Sequence, residues 1–294
     1  MIKCLPHPKG ILVFYFAVLL IPGVRAAEGE ERGGGDRERE IFPQPEIREF
    51  SGTVDELLLP VGEKLDYRIS WTLFKVANAS IEILPLKTVD GIPAYHLRLI
   101  TRTNAWAEAL YKVRDRIDSY MSVDLERSLY YTKLQEGRDK RDVRVVFQWP
   151  EKLAQRTDYS EPWIEDIHLK EVAYDPLGIT YAFRKMDFDV GERLEIHSTD
   201  GKTLVPVDVK IRGRETVKTP LGRFRCILVE PDIRDLSGVF NKSPDANIFI
   251  WFNAEPPHVP VRMKSELPFG AFDVRLHAIE GPRTEEFLRT KVSR

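Results

Sequence analysis

The sequence predicts an all-β fold, and three observations predict it. Short segments alternate apolar and polar residues, Gly, Pro or Asp-Gly pairs punctuate them about every 8–12 residues, and helical periodicity is scarce. Such segments build a sandwich, a barrel or a strongly curved sheet. In "EKLDYRISW", Leu65, Tyr67, Ile69 and Trp71 alternate with Lys64, Asp66, Arg68 and Ser70. "ANASIEIL" and "AYHLRLIT" follow, joined through "VDGIP", whose Asp90-Gly91 pair suits a tight hairpin turn. Leu194 and Ile196 alternate before Asp200-Gly201, and Val205, Val207, Val209 and Ile211 alternate after it, which predicts a second hairpin. In "VKTPLGRFRCILVE", Thr219, Pro220 and Gly222 mark a type I turn into a further strand. "ANIFIWF", "HVPVRMKSEL" and "AFDVRLHAIE" read as three more strands, the first apolar on both faces and therefore central.

One short helix and a turn of helix are expected. In "YDPLGITYAFRKM", Asp175 can cap a helix whose first turn carries Pro176, with Leu177, Tyr181 and Arg184 near one face. "NAWAEALY" predicts a single turn capped by Asn104, with Trp106 and Leu110 on one side.

Before these elements stands a leader. Lys3 and Lys9 precede the apolar run "ILVFYFAVLLIPGV", and Val24 and Ala26 occupy the small-residue positions of a cleavage site. This is the pattern of an export signal over residues 1–26, and the run is too short for a spanning helix of about 20 residues. A leader retained as an anchor is the alternative. Cys4 lies before the apolar run and is no lipidation cysteine; after cleavage Cys226 stands alone, in an apolar strand where it reads as a small buried hydrophobe. Residues 27–55, charged and Gly-rich, are expected to be a disordered linker, residues 56–281 a single domain, and residues 282–294 a charged tail, frayed or loosely docked. Net charge is −2 with both signs mixed, which argues against a nucleic-acid surface. No stable membrane span is expected after the signal is removed.

Motifs for nucleophilic, zinc-protease, phosphate-loop and dinucleotide chemistry are absent. His96, His168, His197, His258 and His277 are scattered singly, four of them at strand positions that read outward, so no metal and no cofactor is expected. Glu161, Glu165 and Asp166 read as a solvated loop-edge group. The aromatic residues first suggest a large core. Among them, Trp71, Trp106, Tyr111, Tyr181 and Trp251 are the candidates for lining an apolar cavity inside a curved sheet.

The stretch "LYKVRDRIDSYM" is dense in charge. As a strand it places Val113, Ile117 and Met121 on one face with Asp115, and Lys112, Arg114, Arg116 and Asp118 on the other. As a helix, Leu110, Val113, Ile117 and Tyr120 would align instead. The chain resembles a known family at this point and at five others. The ordered pieces are "VGEKLDYRISW", "LYKVRDRIDSYM", "QEGRDKRDVRVVF", "DPLGITYAFR", "TPLGRFRCILVEP", and "IWF" followed by "PVRMKSELPFG". Together they are similar to DUF3108, a bacterial exported family without an agreed activity, over most of Val61 to Glu280. Family members usually carry paired acids with basic residues after the "IW" strand, where this chain reads "NAEPPHVPV".

The resemblance implies an antiparallel architecture in the envelope, and a strand for "VRDRI". The expected fold is a curved sheet or incomplete, clam-like barrel with one short helix and a turn of helix. Arg114, Arg116 and Asp118 then form ion pairs across strands, with "GRDKRDVRV" as the expected partner, while Asp115 needs an arginine or backbone N–H groups. Asp175 and Gly222 serve the motif structurally. No catalytic residue is assigned, since Asp115 and Asp118 point to opposite faces and cannot flank one bond. The expected function is a non-enzymatic periplasmic envelope protein that binds a lipid or other amphipathic ligand in the sheet's concavity. The alternatives are an assembly protein that meets an envelope partner through sheet edges and, least favoured, a cell-wall or glycan hydrolase.

Overall fold

The computed structural model describes residues 42–54, 56–138, 140–160, 163–169, 172–187, 189–232, 247–267 and 270–292. The leader, the first part of the linker and Glu161 lie outside the described residues.

The alternating segments form sixteen strands of one sheet. In chain order these are β1 Ile47–Glu49, β2 Lys64–Trp71, β3 Phe74–Val89, β4 Ile92–Thr103, β5 Arg114–Ser122, β6 Ser128–Glu136, β7 Lys140–Gln148 and β8 Leu153–Asp158. They continue with β9 Trp163–His168, β10 Ala173–Tyr174, β11 Arg193–Thr199, β12 Leu204–Thr219, β13 Gly222–Pro231, β14 Asn247–Asn253, β15 Pro260–Leu267 and β16 Gly270–Glu280. Three short helices, α1 Ala105–Glu108, α2 Gly178–Phe183 and α3 Thr284–Arg289, complete the described elements. The sheet runs from β10 through β11–β16, then β2–β9, with β16 antiparallel to β2, so the first and last long strands are neighbours. It curves strongly without closing, the incomplete barrel expected. The two-residue β10 is parallel to β11, an exception to the antiparallel rule.

Turn chemistry explains the hairpins. Asp90 and Gly91, at φ 48° and 83°, join Val89 to Ile92 as a primed turn requires. Pro220 and Leu221 join Thr219 to Gly222 with neither central φ positive, in keeping with the expected type I turn. "IFIWF" becomes β14, central between β13 and β15.

Interior packing fills the curve. Asp175 caps α2 as expected: its Oδ1 accepts from the N–H groups of Leu177 and Gly178, both at 2.9 Å. The helix carries Leu177, Tyr181 and Arg184 into the core. The four-residue turn after β11 folds against β7 and β8. Gly201 there, at φ 87°, lies so close that a Cβ would come within 2.6 Å of Arg156 Cβ and 2.8 Å of Val145 Cγ2. Only glycine fits this approach. Arg156 Nη1 donates to Asp200 O at 2.9 Å, tying the turn to β8.

Several expectations are corrected here. The linker was expected to be disordered to residue 55, yet from Phe42 it is laid along the outside of the sheet. There β1 pairs with β3, Tyr130 Oη donates to Gln44 Oε1 at 2.6 Å, and Phe42 joins a second apolar cluster with Tyr120, Tyr130 and Val146. Of the two expectations for the tail, frayed or loosely docked, the structure shows docking: α3 stacks Phe287 on Phe224 at 4.7 Å, and Asn253 Nδ2 donates to Thr290 Oγ1. A single buried aromatic is enough to anchor a one-and-a-half-turn helix that sequence polarity conceals. Glu165 and Asp166 sit in β9, not at a loop edge, and Asp166 Oδ1 accepts from Gln155 Nε2. His96 and His258 are buried, and His96 is covered on the outward face by Tyr120, which stacks on its ring.

Candidate functional site

The five aromatic candidates lie in different surroundings. Tyr181 is buried in the core beneath the Arg184 guanidinium, 5.1 Å from its ring. Tyr111 is buried with Arg138 over its ring. Trp251 donates from Nε1 to Glu215 Oε2 and stacks against Arg262 at 4.7 Å. Trp71 is partly buried at the end of β2, and Trp106 is exposed on α1. Because α1 is one turn long, its buried side carries Ala107, so the expected Trp106–Leu110 face points outward. Cys226 is fully buried and burial pushes its thiol up to about 12, the inert cysteine expected.

The charged stretch is strand β5, and its two aspartates diverge. Asp118 lies on the outer face, covered on all sides. It accepts from Arg98 Nε and Arg116 Nε at 2.7 and 2.6 Å, with His96 Nε2 at 2.7 Å and stacked on Tyr120. Its partners therefore come from β4 and from β5 itself, not from the "GRDKRDVRV" segment; directly across on β6 stands Thr132. Arg114 pairs with Glu108 of α1. Burial alone would raise the Asp118 carboxyl, but the hydrogen bonds from His96, Arg116 and Arg98 outweigh it and bring the pKa to about 2. Since the folded value lies below the ordinary 3.8, this group's stabilisation is complete above that value and is lost as pH falls through about 2. The contribution is about 2 kcal/mol. Urea unfolding between those pH values should show it as an acid limb that Asp118→Asn flattens.

Asp115 faces the interior, where cross-strand register builds a polar cluster that sequence periodicity did not reveal. Asp115 stands opposite Gln135, Ile117 opposite Lys133, Gln135 opposite Arg141, and Val145 opposite Arg156. Gln135 Nε2 donates to Asp115 Oδ2 at 3.1 Å. Arg141 and Arg156 both reach Asp158 Oδ2, and Arg156 also lies 3.6 Å from Asp200 Oδ2. Burial pulls the Lys133 ammonium down to about 8 against the attraction of Asp115 and Asp200. Asp115 thus accepts from a side-chain amide and attracts the Lys133 ammonium. Three acids converge here, interleaved with three bases, which makes the cluster internally balanced. Asp175 sits in the same interior, where Ser119 Oγ and Ser128 Oγ donate to its Oδ2 at 2.6 and 2.5 Å. Burial raises its carboxyl in spite of these bonds and its two capping bonds. All four donors hold Asp175 as a structural joint, and Gly222, at φ 143°, packs under Lys291 of the docked tail.

A pocket of about 360 Å³ opens at the end of the barrel where β2 begins. Its apolar wall is Pro256, Pro257, Val259, Ile279 and Phe287, and its polar lining includes Glu63, Asn253, Glu255, Arg283 and Glu286. None of the five aromatic candidates lines it. Glu63 is fixed from behind by Arg184, which donates from Nη1 and Nη2 at 2.5 and 2.9 Å and from Nε to Pro257 O at 2.9 Å. Glu63 and Arg184 lie 121 positions apart, and neither carried a local signal of this role. Docking of α3, read from the sequence as a frayed or loosely docked tail, supplies one wall.

A crystal structure of a β-barrel-like protein of domain of unknown function DUF1849 from Brucella abortus is similar at 8% identity and TM-score 0.51, covering 76% of this chain and 98% of that one. A second structure, of a "putative lipoprotein" from Parabacteroides distasonis, aligns at 9% identity and TM-score 0.33 over 76% of this chain and 98% of that one. The first likeness supports the barrel-like fold. No curated protein matches the chain. The family model described as "Protein of unknown function (DUF3108)" matches residues 66–277, which takes in all but the first two residues of β2 through most of β16, and the chain belongs to that family.

Proposed function

We propose that this protein is a non-catalytic component of the bacterial envelope that binds a small amphipathic ligand in the end pocket. The observation that carries the reading is the pocket itself, an apolar wall facing charged groups, with Glu63 locked in place by Arg184. Ligand sites combine these features: mostly apolar walls with a few fixed polar groups. At about 360 Å³ it lies near the small end of such sites, so it suits a short chain or an amphipathic headgroup and not a whole diacyl lipid. The reading moves the ligand from the centre of the concavity, where core side chains pack, to its rim. Export is supported by the leader, with its two lysines, short apolar run and small residues before Ala27. No helix among the described residues is long and apolar enough to cross a membrane.

Native mass spectrometry of protein isolated from its host envelope tests the proposal. The expected result is a retained small-molecule adduct that disappears when Ile279→Trp fills the pocket. An unliganded mass for the wild-type chain, from gentle extraction, would sink it.

A further inference from the structure

Opposite the pocket, the barrel carries a second surface that the ligand site does not use. The β2–β3 turn sits at the far end of β2 from Glu63, eight residues or roughly 26 Å away. Two-residue hairpin turns favour Asn, Asp and Gly. Here the residues are Thr72, at a positive φ of 56°, and Leu73, the most exposed large apolar residue described. Leu73 is 88% exposed, Phe74 63%, and Trp106 and Leu110, beside them on and after α1, 48% each. Phe74 and Trp106 meet edge to face at 6.4 Å, and Trp106 Nε1 donates to Lys75 O, so the apolar tip is built and held as a unit. Both the turn and its solvation break local preference at the same place, which marks a site kept for something other than folding.

Behind the tip runs a band of cations. Arg262, Arg275, Arg68, Asn78, Arg102 and Arg114 are successive cross-strand neighbours from β15 to β5. Like charges directly opposite one another destabilise a sheet unless anions intervene. Asp273 serves Arg262 and Arg275, and Glu108 serves Arg114. Arg68 and Arg102 are exposed and have no ion pair among the described residues, and the same holds for Lys75 at the tip.

We propose that this end of the barrel docks on an anionic lipid surface, with Leu73, Phe74, Trp106 and Leu110 entering the interface and Arg68, Lys75 and Arg102 meeting lipid phosphates. Leu, Phe and Trp beside basic residues are the composition of interfacial anchors. The four apolar side chains expose on the order of 500 Å² together, taking aromatic side chains at about 150–250 Å² each. That is below the ~800 Å² each partner contributes to a stable protein interface, which favours a membrane over a second protein. The surface is distinct from the end pocket, and neither proposal requires the other.

The test uses the full-length chain with vesicles of phosphatidylethanolamine and brominated phosphatidylglycerol, reading the quenching of Trp106 as the difference between wild type and Trp106→Phe. This difference reports the tip whatever the leader does. The Trp106 emission should be quenched, more weakly by brominated phosphatidylcholine, and less at high salt. Leu73→Asn, which suits the turn better than leucine, and Phe74→Ser should each lower apparent affinity more than about tenfold. Arg68→Gln and Arg102→Gln should lower it about fivefold each. Circular dichroism should confirm that all four variants fold. An unquenched Trp106, quenching unchanged in Leu73→Asn, or equal quenching by neutral and anionic vesicles would overturn the proposal. So would a self-association in solution that Leu73→Asn abolishes, because the tip would then be a protein interface.

Discussion

Replacing Arg184 with alanine should destabilise the domain by about 3–5 kcal/mol, the range for breaking a buried ion pair by removing one member. The Arg184 side chain is fully buried and Glu63 nearly so, and their contact is bidentate. Burial works against the Arg184 charge, but Glu63 more than offsets it and holds the guanidinium firmly protonated. Alanine would leave the Glu63 carboxylate without its cation and Pro257 O without its donor. In a thermal melt the loss should appear as a drop of roughly 10 °C for a domain of this size. The double variant Glu63→Leu with Arg184→Leu separates the two costs. It should recover much of the loss, because a buried pair is weak evidence of stability while a buried orphan is strongly destabilising. A single-variant loss below about 1 kcal/mol, the range of exposed pairs, would show the site to be solvated.

Asp115→Ala is the second large expected effect, about 3 kcal/mol at neutral pH. Asp115 offsets the burial that lowers Lys133, and without it the ammonium keeps its desolvation cost with less compensation. The pH dependence follows from the sign of that shift. Lys133 titrates at about 8 when folded and near 10.5 when unfolded, so between these values the unfolded chain binds more protons and stability rises with pH. The variant lowers the folded value further. Its deficit should therefore be present at neutral pH and shrink away as pH rises through about 8, above which Lys133 is neutral in both folded proteins. Urea titrations at neutral pH and well above that folded value check this. A deficit that does not change with pH would remove Lys133 as the partner, and no deficit at all would mean an exposed carboxylate.

Much of this arrangement was legible locally. Alternation located β2, β11 and β12, the Asp90-Gly91 and Thr219–Gly222 turns located two hairpins, and Asp175 announced α2, because each depends on residues a few positions apart. The opposed directions of Asp115 and Asp118 followed from strand period alone. Their partners did not. Gln135, Lys133, Arg98 and His96 reach them through strand register, which periodicity leaves open. The surroundings of the aromatic candidates were open for a related reason: periodicity assigns a side chain to a face, but what lies over that face depends on the curvature of the whole sheet.

Sequence alone determined an antiparallel β fold, its main hairpins and the burial of Asp115, since pleat, turn geometry and the cost of an exposed apolar face act over short range. Tertiary structure decided how the sheet curls, which strands flank β2, and that Glu63 meets Arg184 across 121 positions beside a pocket walled by the chain's last helix. Those features rest on contacts between distant segments, whose energies arise only when the sheet bends and water is excluded between them.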